Sequence, residues 1–170
     1  MTTKLELFEI LMIKSIEFQI HEHQPLYTVE DSEKLRGEIS GSHTKNLFLK
    51  NKKNSFFLFS CDERAQIDLK QFSKSIEGKN LSFAKEEYLD KYLQIKPGSV
   101  SPFALLNDTK NEVKFYLDEK LAKSKLINFH PLINTTTISL KTNDFISFMV
   151  ENNKKINIFS LKNYSVVETL

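Results

Sequence analysis

Three short runs hold the residue types that could do chemistry. The first is His43-Thr44-Lys45-Asn46-Leu47-Phe48-Leu49, in which a lysine and an amide stand at the start of an apolar run, just behind Gly41-Ser42. A lysine there offers a compact point charge for a phosphate or a developing oxyanion, and the adjacent amide can both donate and accept. Taken alone, the pair reads more simply as an exposed lysine beside a turn former. The second run is Gly98-Ser99-Val100-Ser101-Pro102. A glycine-initiated turn of this kind can bring backbone groups close to a ligand, although its plain reading is a loop between elements. The third is Asn128-Phe129-His130-Pro131-Leu132-Ile133-Asn134-Thr135. Proline holds His130 in extended backbone at a strand end, where in isolation a structural histidine is the simpler reading.

Other chemistries find little support. His21 and His23 are two apart and would share a strand face, but only His43 and His130 complete the histidine count, and no Cys/His/Asp cluster has ligand spacing, so no metal is expected. Cys61, the single cysteine, cannot form an intrachain disulfide and follows Phe57-Leu58-Phe59-Ser60, which reads as a packed thiol at the end of a buried strand. There is no nucleophile elbow, no phosphate-binding Gly-Lys-Ser/Thr loop and no Gly-x-Gly-x-x-Gly. The formal net charge of +2 is too small to mark a nucleic-acid binder. Its distribution is uneven: the first forty residues lean acidic, and Lys45, Lys50, Lys52 and Lys53 fall within nine residues that contain no acid. Such a cluster can steer a polyanion, though it is more often a solvated hairpin. No apolar stretch reaches membrane-spanning length, so neither a membrane partner nor a secretory signal is expected, and a cytoplasmic location follows.

The elements that must position these residues are legible in outline. Thr3-Lys4-Leu5-Glu6 has the form of a capping box, and Leu5, Phe8 and Met12 give a helical stripe to about Ile13. Ile16, Phe18 and Ile20 alternate with polar residues as in a half-buried strand ended by Pro25. Thr28 can cap a short helix through Leu35. Leu47–Leu49 and Ser55–Cys61 read as strands joined by a turn at Lys53-Asn54; Asp68 caps a helix carrying Leu69, Phe72 and Ile76; a further helix covers Lys85–Leu93. Phe103–Leu106, a turn at Asn107-Asp108 and Val113–Leu117 suggest a hairpin. Strands near Leu126–Phe129 and Ile133–Leu140, a helix capped by Asn143 or Asp144, and a strand Ile156–Phe159 to close the sheet complete the chain. Without regular βαβ alternation, repeat or linker, this is one α+β domain over residues 1–170, with a mixed, mostly antiparallel sheet flanked by short helices.

In their order, the runs His43–Leu49, Leu81-Ser82-Phe83-Ala84, Pro97–Phe103 with Leu106-Asn107-Asp108, and Asn128–Thr137 resemble successive blocks of the YbaK/ProX prolyl-tRNA editing family, as does Gln24–Glu30. Lys85 departs from the pattern, where a small capping residue is expected. The resemblance implies a free-standing aminoacyl-tRNA deacylase that hydrolyses the ester of mischarged tRNA(Pro). The Lys-Asn pair with the Asn-Phe-His-Pro block looks like the alanine-specific branch, with Ala-tRNA(Pro) as substrate. On that resemblance Lys45 holds the terminal phosphate or the ester's developing charge, Asn46 orients aminoacyl or ribose groups, and His130 positions the pocket. Gly98, Ser99 and Pro102 place backbone groups beside the ester, Ile20, Val29 and Phe48 set pocket volume, and Lys50, Lys52 and Lys53 reach the acceptor stem. It implies no cofactor and no metal, water activated by a ribose hydroxyl of the substrate, and two partners: the tRNA(Pro) acceptor end and a prolyl-tRNA synthetase. The alternatives are a deacylase for cysteinyl-, seryl- or threonyl-tRNA and a non-catalytic tRNA-binding or synthetase-associated module.

Overall fold

The computed structural model describes residues 1–25 and 39–170. Its elements are α1 (Lys4–Ile13), β1 (Phe18–Glu22), β2 (Thr44–Lys50), β3 (Phe56–Asp62), α2 (Leu69–Ser75), β4 (Ser82–Phe83), α3 (Glu86–Tyr88) running into a π-helical turn (Leu89–Leu93), a 3₁₀ turn (Pro102–Asn107), β5 (Val113–Asp118), α4 (Glu119–Ala122), β6 (Leu126–Phe129), β7 (Thr136–Lys141), α5 (Thr142–Glu151), β8 (Ile156–Ser160) and β9 (Ser165–Thr169). Among the described residues they build a six-stranded sheet in the order β4-β2-β3-β5-β8-β9 and a three-stranded sheet in the order β1-β7-β6. The pairs β3–β5 and β5–β8 are parallel, and the others are antiparallel. The fold is the expected α+β domain. Among the described residues no helix is long and apolar enough to cross a membrane.

Strand β3 explains the layering. Every residue from Phe56 to Cys61 is buried, and apart from Ser60 all are apolar, so this central strand does not alternate. Its two faces serve two cores. Phe56 and Leu58 join Phe48, Phe115, Phe129 and Phe145 in the larger cluster, which fills the space toward the three-stranded sheet. Phe57, Phe59 and Cys61 join Leu49, Phe72 and Phe159 on the other face, under α2. Phe72 stacks on Phe59 at 4.7 Å and meets Phe159 edge-on at 4.9 Å, the offset and edge-to-face geometries that ring quadrupoles favour.

Several local readings need correction. The α1 capping box is present, but the buried face is Leu7, Phe8 and Leu11, while Leu5 and Met12 face solvent. The apolar residues of α1 encircle it, so their spacing does not single out the packed side. Phe103–Leu106 is not a hairpin strand. Ser101 caps a 3₁₀ turn that starts at Pro102, and Val113–Asp118 pairs in parallel with β3 instead of folding back on residues 103–106. Residues 85–93 form one α turn and then a π turn, ended by Gln94 in the left-handed region at φ 53°. Asn143 and Asp144 lie inside the first turn of α5, which begins one residue earlier and has no side-chain cap. Strand β8 does not close the sheet, because β9 pairs along its outer edge. The expected helix Thr28–Leu35 lies outside the described residues.

Candidate active site

Lys45 is the second residue of β2 and sits opposite Cys61 of β3. That register places its side chain on the α2 face, where Nζ donates to the carbonyl of Ala65. Asn46, one residue on, points to the opposite face because strand side chains alternate. There it faces Ser60, whose hydroxyl donates to Asn46 Oδ1 at 2.5 Å and leaves the amide N–H₂ as the available donor. The two adjacent residues therefore do not line one wall; they reach around the two sides of a strand end.

The start of β2 is locked to β6. Ser42 N donates to Leu126 O at 2.9 Å, Asn128 N donates to Ser42 O at 3.0 Å, and Thr44 Oγ1 donates to Asn128 O at 2.8 Å. Residues 42–44 thus run alongside β6 and bridge the two sheets. Gly41 makes that approach possible: its φ is +101°, and a Cβ there would lie 2.9 Å from Leu126 Cβ. Asn128, buried to 2%, is the hub. Its Nδ2 donates to Ser40 O at 3.1 Å, and its Oδ1 accepts from Ser139 Oγ, which in turn lies 3.1 Å from His21 Nε2. A buried amide with both ends satisfied holds one geometry, since any shift would strand a polar group away from water.

His130 follows β6 on the same polar face as Asn128. Its Nδ1 lies 2.8 Å from Thr136 O; a carbonyl can only accept, so Nδ1 carries the proton and Nε2 keeps a free lone pair. Burial holds the His130 pKa below the ordinary imidazole range, the hydrogen bond to Thr136 works the other way, and nearby His23 adds to the lowering. The ring is thus neutral near pH 7. His23 stands 5.9 Å away between ring centroids, and its Nε2 lies 2.9 Å from Thr137 Oγ1. With His21 on Ser139, both histidines of the i, i+2 pair are engaged by hydroxyls, and among the described residues no three His, Cys, Asp or Glu side chains converge as metal ligands would.

The glycine loop enters through packing. Pro97-Gly98 forms a turn in which Ser99 N donates to Lys96 O at 3.1 Å, and Gly98 at φ +83° takes the position that a type II turn reserves for glycine. Ser99 and Pro102 are buried, and Phe103 meets Phe129 at 5.9 Å and Phe145 at 5.6 Å. The loop is therefore anchored beside the residue that precedes His130. Phe48, two residues after Asn46, belongs to the same cluster, so the three runs share one core.

The remaining residues divide. Ile20 is 49% exposed on β1, opposite Ile138, and Val29 lies outside the described residues. Lys50 sits at the far end of β2 with Nζ 3.3 Å from Tyr88 Oη and 4.5 Å above that ring, while Lys52 and Lys53 are exposed in the turn organised by Asn51. Cys61 is fully buried and its thiol is pushed up to about 12 by burial, which makes it a poor nucleophile. From sequence, Asn128 reads only as the start of its run and His23 only as half of a rejected metal pair, while Ser60 and Thr136 are given no role. Alternation alone would have placed Asn128 and His130 on one face with Ser139 and His21, a row of polar side chains on strands whose other face is core.

Residues 23–148 match the aminoacyl-tRNA editing domain family. The chain belongs to that family. Among its relatives, this editing domain is 35% identical to the prolyl-tRNA editing protein ProX of Acetoanaerobium sticklandii over 147 residues, covering 86% of this chain and 90% of the relative. It is 34% identical over 148 residues to the prolyl-tRNA synthetase associated domain-containing protein 1 of Danio rerio, covering 86% and 80%. Its fold matches the crystal structure of a candidate trans-editing enzyme for prolyl tRNA synthetase with a TM-score of 0.64 at 15% identity, covering 91% of this chain and 94% of that one.

Proposed function

We propose that this editing domain is a deacylase that hydrolyses the ester of mischarged tRNA(Pro), with Ala-tRNA(Pro) as its substrate. The reading is supported by membership of the editing family together with the packing of Phe48, Phe103 and Phe129 in one cluster. These are the neighbours of Asn46, the Gly98 turn and His130, while Lys45 reaches the other face of the same strand end. The need is physical. A pocket built for proline rejects a smaller side chain by only about 1–3 kcal/mol, so a second site that admits the smaller residue must supply the remaining discrimination.

In this mechanism Lys45 exchanges the neutral Ala65 carbonyl for the terminal phosphate or for the oxyanion that develops on the ester, a gain because the new acceptor is charged. Asn46, held by Ser60, presents its amide N–H₂ to the ribose or aminoacyl group. His130 offers Nε2 as an acceptor from the opposite side, with Thr136 fixing its tautomer. The Gly98 turn supplies backbone polar groups beside the ester. A ribose hydroxyl next to the ester activates water, and the protein contributes positioning and electrostatic stabilisation. Ile20 and Val29 set the size of the amino-acid pocket, and Lys52 and Lys53 contact the acceptor stem through phosphates. A prolyl-tRNA synthetase is the natural partner, and the cytoplasm the natural setting.

A panel of tRNAs mischarged with Ala, Cys, Ser and Thr, each incubated with the protein, tests the reading. Hydrolysis confined to Ala-tRNA(Pro) is expected. Preference for another ester reassigns the substrate, and binding without hydrolysis of any member contradicts the enzyme reading.

A further inference from the structure

Three parallel strands, β3, β5 and β8, end side by side at Asp62, Asp118 and Ser160. Beyond these ends lies a cavity of about 670 Å³. Side chains just past the carboxyl ends of neighbouring parallel strands diverge and leave a crevice, the usual ligand position in open sheets with parallel strands. The crevice has a polar floor: Asp118 is 3% exposed, its carboxylate takes the main-chain N–H groups of Lys120 at 3.1 Å and Asp62 at 3.4 Å, and Ser160 is 2% exposed.

Its lining carries both signs, with Arg64, Lys120, Lys123 and Lys162 outnumbering Asp62, Asp118 and Glu119. Lys120 and Lys123 are already paired, with Asp62 and Glu119 respectively. Arg64 and Lys162, both exposed on the rim, make no direct ion pair among the described residues, although Arg64 lies within the field of Asp62 and Lys162 within that of Glu119. Ala65 belongs to the same wall, and its carbonyl holds the Lys45 ammonium. The crevice and Lys45 are therefore two sides of one short loop, and an anion in the crevice would lie next to the charge assigned to the substrate's terminal nucleotide.

We propose that this crevice binds the phosphodiester backbone of an RNA strand, with Arg64 and Lys162 as the phosphate contacts and Lys120 and Lys123 as flanking charge. The identity of the RNA rests on the deacylase reading; the affinity of the crevice for an RNA backbone does not. Phosphate contacts carry little sequence information and register a strand whose end is read elsewhere, here by Lys45 and Asn46.

The test uses unacylated tRNA(Pro) transcript, so that no hydrolysis is needed. Binding is measured over a range of salt for the wild type, Arg64→Glu with Lys162→Glu, and the milder Arg64→Gln with Lys162→Gln, each checked for fold by circular dichroism. The expected result is a log K against log salt slope lower by about one per lost phosphate contact, and binding weakened more by the Glu pair than by the Gln pair. In deacylation assays on Ala-tRNA(Pro), the loss falls on KM more than on kcat. Wild-type slope and affinity in both folded double variants would overturn the proposal. Wild-type binding with no hydrolysis of any mischarged tRNA would instead remove the deacylase reading and leave this one standing.

Discussion

Strand β2 is charged at both ends, and the two ends are built differently. At its start, Lys45 donates to the Ala65 carbonyl, beside a crevice whose rim also holds Arg64 and Lys162, neither in a direct ion pair among the described residues. At its finish, roughly 16 Å away at about 3.3 Å per residue, Lys50 lies against the face and hydroxyl of Tyr88, itself packed on Phe56 at 5.1 Å. The first lysine has kept a weak partner that an anion can displace. The second is already engaged in a cation–π contact and packing. Sequence proximity made Lys45, Lys50, Lys52 and Lys53 look like one cluster, yet Lys45 and Lys50 have partners of different kinds, a carbonyl and an aromatic ring.

The largest effect is expected from removing the packing behind His130. Phe103→Ala deletes a fully buried ring shared with Phe129 and Phe145, and urea denaturation should register a loss of about 3–5 kcal/mol. Next in size, reversing charge at the two ends compares them directly. Arg64→Glu with Lys162→Glu should weaken tRNA binding about tenfold or more and flatten its salt slope, whereas Lys52→Glu with Lys53→Glu should do so by a smaller factor; equal effects would erase the distinction. Lys50→Met, which keeps the stem over Tyr88 and removes the charge, should change stability by less than about 1 kcal/mol and alter tRNA affinity less than either reversal.

His130 provides a pH test. Its folded pKa lies below the unfolded value of about 6.5, so the unfolded state takes up the proton first as pH falls. This group's contribution is therefore fully present above pH 6.5 and is lost as pH drops through the folded pKa. Melting temperatures measured across that window should decline less steeply toward acid in His130→Gln than in the wild type. Parallel curves would mean that the ring is not held neutral by its surroundings.

Much of the fold could be read from particular residues. Thr3 and Asp68 announced helix starts through caps that the structure contains, and Ser55–Cys61 announced a buried strand because its apolar run Phe56–Phe59 has no polar alternation. Residues 103–106 misled because apolar residues before an Asn-Asp turn look like a hairpin strand, while the parallel partners of β5 come from distant parts of the chain that no local pattern reveals. At the site, the residue types of Lys45, Asn46 and His130 were legible. The opposite orientation of the first two was latent in simple alternation. The hub at Asn128 was not legible, since its partners come from two distant parts of the chain, Ser40 and Thr44 before and within β2 and Ser139 on β7. The crevice escaped for the same reason: the ends of β3, β5 and β8 meet only in three dimensions.

The most direct test of the account is the single-turnover rate of Ala-tRNA(Pro) hydrolysis for the wild type, Lys45→Ala and Lys50→Ala. The account predicts that Lys45→Ala slows the reaction by about 10²–10³-fold, the scale of losing one oxyanion-stabilising group, with thermal stability near that of the wild type, and that Lys50→Ala stays within a few-fold. Full activity in Lys45→Ala, or an equal loss in both variants, would contradict it.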